Sequence, residues 1–95
     1  MPASSEPVAA VAEQVVVLPK HLHARPAGQV AQAAGGLAGT TVELVAGERT
    51  ADARSILAVM GLGAVAGSEV RVRAAGQDAP GAVAAIVAIL SAAEE

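Results

Sequence analysis

Two histidines and an arginine stand within five residues, His21-Leu22-His23-Ala24-Arg25, and Pro26-Ala27 follow at once. Pro26 fixes its own φ near the helical value and carries no N–H, so it suits the first turn of a helix. A helix start presents unpaired backbone N–H groups and the positive end of the macrodipole, which together make a ready anion site. An imidazole of ordinary pKa, about 6.5, is largely neutral near neutral pH and has a ring nitrogen free to attack an electrophile. Placed at a helix start, such a nitrogen could take up an anionic group, a phosphoryl above all, and hold it against the first-turn N–H groups. His23 is the candidate acceptor. Arg25 supports that reading by standing where a cation opposes the helix dipole, a position better explained by an anion that it must meet.

The elements that must position these residues can be read from hydrophobic periodicity. Gln14 to Leu18 is a short β-branched run ended by Pro19, a strand. Ala27, Val30, Ala31 and Ala34 follow the spacing of one buried helical stripe, so a first helix is predicted from about Ala24 to Ala34, stopping at Gly35-Gly36. Thr40 to Val45 alternates as a half-buried strand does, and Ala46-Gly47 turns it into a short partner over Arg49 to Ala51. Ser55 can cap a short helix bearing Ile56, Val59 and Met60, ended near Gly61 or Gly63. Ser68 to Ala74 alternates again, with Val70, Val72 and Ala74 inward. Asp78 caps a last helix with Pro80 in its first turn and a core stripe of Val83, Ile86, Val87 and Leu90. The order is β-α-β-β-α-β-α. The simplest packing is an α+β open-faced sandwich, a four-stranded antiparallel sheet with three helices on one face.

Bulk composition sets further bounds. Ninety-five residues make one domain, read as a flexible lead-in over residues 1–12 and a folded domain over 13–95. The chain is 54% hydrophobic but has no aromatic residue, so its core gains little area per side chain. The absence of cysteine excludes a disulfide framework and a thiolate metal site. A net charge of −3, with only six Lys and Arg and no aromatic to stack on a base, argues against nucleic-acid binding. The longest apolar run, Ala82 to Leu90, is too short to span a bilayer, and the N-terminus lacks the basic start of a signal peptide. A cytoplasmic protein with no membrane insertion is expected.

The segment His21 to Ala27 resembles the active-site signature of the HPr family, the histidine-containing phosphocarriers of the bacterial phosphotransferase system, which reads Gly-[Ile/Leu]-His-[Ala/Thr]-Arg-Pro-Ala. A second block, Ala53-Arg54-Ser55-Ile56-Leu57-Ala58-Val59-Met60-Gly61-Leu62-Gly63, is similar to that family's Lys-Ser-Ile-Met-x-x-Met-x-Leu-Gly segment. The two stand in the family's order and close to its spacing, and the resemblance runs from about Gln14 to Leu90. It implies the same open-faced sandwich, with His23 as phosphohistidine and Arg25 stabilising the phosphoryl group. It implies further that Ala24, Ile56, Leu57 and Met60 dock partner proteins. Ser55 corresponds to a serine that an HPr kinase/phosphorylase modifies in some bacteria, besides its role as an N-cap. The implied partners are Enzyme I and IIA components of sugar transport. The chain would be a monomeric transfer intermediate with no cofactor rather than an autonomous enzyme.

There are departures. His21 replaces the family's Gly, and is read as a surface substituent or as a second imidazole tuning His23. Lys20 replaces a small polar residue that can contact the histidine ring. Gln32 and Gly35 stand where some members have lysines, with Arg54 and Lys20 the nearest substitutes for that basic rim. The His-x-His pair lacks further metal ligands nearby. Other readings are a regulatory carrier of the nitrogen-related branch and an interaction module that has lost phosphotransfer. A hydrolase or metalloenzyme is disfavoured for want of paired carboxylates, a His-Glu cluster or a Gly-rich phosphate loop.

Overall fold

The structure, a computed structural model, describes residues 10–92. Seven elements follow in the expected order: β1 (Ala10–Val17), α1 (Ala24–Gly35), β2 (Thr40–Ala46), β3 (Arg49–Asp52), α2 (Ile56–Gly61), β4 (Glu69–Gly76) and α3 (Ala79–Ser91). The strands form one antiparallel sheet in the order β1-β4-β2-β3. The last strand in sequence is therefore central, and it is the one with the cleanest alternation. Val70, Val72 and Ala74 are buried on the helix side, while Glu69, Arg71 and Arg73 face outward. The three helices supply the other half of the core through Ala27, Val30 and Ala34 of α1, Val59 of α2, and Ala79, Ala82, Val83, Ile86 and Leu90 of α3. Ala31 and Val87, expected within their stripes, lie half-buried at the margins, about 100° of helix rotation from the fully buried Val30 and Ile86.

The strand that was predicted to start at Gln14 begins at Ala10, so residues 10–12 are strand rather than lead-in. Nothing in Ala10-Val11-Ala12 carries a strong strand signal. What extends the strand is its partner, because β4 is long enough to pair with all eight residues, from Ala10 opposite Gly76 to Val17 opposite Glu69. Glu13 reinforces the pairing, 3.1 Å from Arg71 and 3.8 Å from Arg73 on the outer face. The rest of the expected lead-in, residues 1–9, lies outside the described residues.

β4 likewise runs two residues beyond the expected Ala74, and Gly76 is what permits this. It lies at φ +138°, paired with Thr40 of β2 on one side and Ala10 of β1 on the other. A Cβ at this position would run into the Gly39 carbonyl oxygen and Thr40 Cα. Thr40 is the one polar residue buried in the described chain. Its hydroxyl accepts the Asp78 N–H at 3.4 Å, which ties the start of β2 to the cap of α3.

Gly76→Ala should therefore cost about 2–4 kcal/mol through clash and strain. Gly47→Ala, in the open β2–β3 turn at φ +62°, should cost only about 1–2 kcal/mol. Urea unfolding of the two variants measures the difference, and equal midpoints would contradict the crowding at Gly76.

Candidate functional site

His23 is the N-cap of α1. Its backbone is extended (φ −80°, ψ 179°), and its carbonyl accepts the first helical hydrogen bond, from the Ala27 N–H at 3.0 Å. Its side chain makes no capping bond and lies exposed. The first turn carries no acidic residue. Ala24 and Arg25 are exposed, whereas Pro26 and Ala27 are buried and seat the turn on the core. The result is an imidazole free to react, standing beside a helix terminus whose leading N–H groups have no intrahelical partner. No side chain of the cap or first turn occupies that positive end, which is worth on the order of 0.3–1 kcal/mol to a nearby negative charge.

The loop before α1 is held by the loop before β4. Leu18 donates its N–H to Ser68 O at 2.9 Å, Gly67 donates to Leu18 O at 2.8 Å, and Leu22 donates to Ala64 O at 3.2 Å. Leu22 is buried, so the chain is pinned by both packing and hydrogen bonds immediately before His23. Ser68 Oγ accepts the Val65 N–H at 3.0 Å and stiffens the supporting loop. His21 joins the same arrangement, its Nδ1 accepting the Ala66 N–H at 3.2 Å. No sequence periodicity marks these contacts.

The second block is brought next to the first. Ser55 caps α2, its Oγ accepting the Ala58 N–H at 3.1 Å. Val59 is the buried residue of α2. Ile56, Leu57 and Met60 are 44%, 82% and 40% exposed, so all three are offered to the surface. Ile56 Cδ1 would lie 4.0 Å from a Cβ at Gly28, and α2 thus rests on α1 one turn beyond its start. Arg49 of β3 donates to Gly61 O at 3.0 Å and places a cation at the C-terminal end of α2, where the dipole favours it. Proximity in the fold, not sequence spacing, is what assigns Arg49 to that end.

Arg54 does not serve as the free rim cation that the sequence offered. Asp52 Oδ1 accepts both its backbone N–H (2.9 Å) and Nε (3.3 Å), and Oδ2 accepts Nη2 at 3.1 Å. The side-chain hydrogen bonds from Arg54, aided by its backbone N–H, hold the Asp52 carboxyl below the usual aspartate range. The guanidinium is held correspondingly higher. The positive charge just before Ser55 is therefore already partnered.

A surface depression of about 350 Å³ lies elsewhere, on the outer sheet face among Val11, Thr41, Glu43, Asp52, Arg54 and Arg73. His23 is exposed and lines neither this depression nor a second one among Val15, Val45, Gly47, Glu69 and Arg71. Among the described residues no group of three or more His, Cys, Asp or Glu could hold a metal ion. No helix among them is long and apolar enough to cross a membrane.

Known proteins of one family share this fold and sequence pattern. The family profile "PTS HPr component phosphorylation site" matches residues 11–92. A multiphosphoryl transfer protein of Xanthomonas campestris pv. campestris is 36% identical over 78 residues; the match takes in 82% of this chain but only 9% of that much longer protein. The phosphocarrier protein HPr of Bacillus anthracis superposes with a TM-score of 0.79 at 27% identity, covering 86% of this chain and 99% of that one. The histidine-containing phosphocarrier protein of a Mycoplasma superposes with a TM-score of 0.76 at 28% identity, covering 86% and 100%.

The Asp52 geometry fixes a pH dependence. A carboxyl whose folded pKa is depressed contributes stability that is present above its unfolded value, about 3.9, and lost as pH falls through the folded one. Asp52→Asn keeps an acceptor for the Arg54 N–H but not the ion pair. Its stability should therefore fall less steeply than the wild type's between pH 5 and the acid limb near pH 3, by roughly the small increment expected of an exposed pair. Denaturant midpoints across that range measure the two slopes, and parallel curves would leave the ion pair without effect.

Proposed function

This chain belongs to the HPr family of the phosphotransferase system, and we propose that it is a working phosphocarrier whose His23 accepts a phosphoryl group from phosphorylated Enzyme I and passes it to a IIA component. The observation that carries this reading is the exposed imidazole at the N-cap of α1, with no capping bond to occupy it. In the forward step a lone pair on a ring nitrogen of neutral His23 forms the N–P bond as the donor's bond to phosphorus breaks, and that electron pair leaves with the donor. The return step is the same exchange with the IIA component as acceptor. The phosphoryl charge meets the open N-terminus of α1 and the Arg25 guanidinium, which otherwise opposes the helix dipole. Both are surface interactions of moderate strength, as a group that must be handed on requires. Ile56, Leu57, Met60 and Ala24 form the apolar side of the docking surface. In this reading the chain acts as a monomer in the cytoplasm, without a cofactor.

Ser55 has a second role in this proposal. A phosphate there adds about −1.5 to −2 charges at the start of α2, where the dipole tolerates it. The same charge stands beside Ile56, and desolvating it against a partner's surface is unfavourable. An HPr kinase/phosphorylase in the host would then switch docking without unfolding the carrier.

Two experiments test these assignments. Incubation with Enzyme I and labelled phosphoenolpyruvate should label the wild type and His21→Ala to the same final extent and leave His23→Ala unlabelled, the label being lost in acid and stable in base. A labelled His23→Ala with an unlabelled His21→Ala would move the acceptor two residues. Ser55→Asp keeps an N-cap, so its melting temperature should stay within a few degrees of wild type. Its rate of phosphorylation should drop on the order of tenfold, or ~1.4 kcal/mol. Wild-type rates at several salt concentrations would reduce Ser55 to a cap.

A further inference from the structure

His21 is the one residue of the site that is built into the scaffold without an assigned task. Its Nδ1 accepts the Ala66 N–H at 3.2 Å, so in the neutral ring the proton sits on Nε2 and the ring plane is fixed from outside its own loop. Ala66 in turn belongs to the loop held by Leu18, Leu22 and Ser68. The His21 and His23 rings then meet edge to face, with centroids 5.4 Å apart and planes at 74°. That is an ordinary favourable geometry for two planar rings. His21 O also accepts the His23 N–H at 3.0 Å, closing a tight turn that sets the two side chains side by side.

His23 needs such support. It makes no side-chain hydrogen bond at the cap and is exposed, so nothing else among the described contacts limits rotation of its ring. Attack on phosphorus uses a lone pair that lies in the ring plane, and each rotation of the ring turns that lone pair off the line of transfer. Holding the plane before the donor arrives removes part of the entropy cost of the reaction step. The two histidines are too few for a metal site, and the ring of His21 is not loose surface, because one of its two nitrogens is committed.

We infer that His21 is a positioning residue for phosphotransfer: anchored by the Ala66 N–H, its ring fixes the plane of the His23 imidazole. The inference rests on His23 being the acceptor. It concerns the rate of transfer rather than its final extent.

Two substitutions in the full chain separate positioning from simple anchoring of the loop. His21→Gly removes both ring and acceptor. His21→Asn removes the ring but keeps a side-chain oxygen able to accept the Ala66 N–H. Rapid-quench phosphorylation by Enzyme I should show kcat lowered threefold to tenfold in both variants with KM for Enzyme I unchanged, while His21→Asn keeps the wild-type melting temperature. Proton–proton couplings at His23 should report one side-chain rotamer in the wild type and averaging in both variants. A wild-type rate in His21→Asn would make the residue a loop anchor only, and a raised KM at constant kcat would make it a docking residue; either overturns the inference. If the wild type itself takes no label, the acceptor assignment falls and this inference falls with it. Wild-type rates in both variants overturn this inference alone.

Discussion

The site depends on one set of contacts, the three backbone hydrogen bonds that hold residues 18–22 against residues 64–68. The segment between β1 and α1 would otherwise be a six-residue connection with an exposed lysine and histidine at its centre. Buried Leu22 and its bond to Ala64 O fix where α1 begins, and the helix start fixes where the imidazole stands. Loops carry function when a rigid scaffold positions them. Here the scaffold reaches His23 through β4, since the supporting loop leads directly into an interior strand of the sheet.

The electrostatics of the site are correspondingly restrained. Arg54 is satisfied by Asp52 and Arg49 by the end of α2, whereas Lys20 and Arg25, both exposed near the start of α1, make no ion pair among the described residues. The outer face of the sheet spends other charges in the same way, with Arg71, Glu13, Arg73 and Glu43 linked at 3.1–3.8 Å across three strands. Exposed pairs of this kind add little stability individually. Their arrangement does set register, because a one-residue slip of β1 would remove Glu13 from both arginines and turn Val16 outward.

Most of the fold was legible because each element carries its own periodicity. Val70, Val72 and Ala74 alternate, Val83, Ile86 and Leu90 recur at helical spacing, and Ser55 and Asp78 stand at helix starts with their side chains capping as expected. The helix start beside His23 was legible for a local reason too, since Arg25-Pro26 marks a first turn. What the sequence did not disclose is relational. The start of β1 at Ala10 is set by the length of β4, the pairing of Arg54 by an Asx turn at Asp52, and the anchoring of His21 by an amide 45 residues away. The Asx turn was the most accessible of these, because aspartate two residues before a backbone N–H in a turn is a recognised local pattern.

The alanine- and valine-built core has an optical consequence. With no tryptophan, tyrosine or phenylalanine anywhere in the chain, the protein is almost dark in the near-ultraviolet and has no fluorescence of its own. A single tryptophan in place of Leu57, the most exposed of the large apolar residues of α2, would then be an emitter on a silent background. Its spectrum would report the burial of that surface alone, with nothing from the interior to subtract. A core that gained little area from its side chains has thereby left the molecule unusually easy to read from outside.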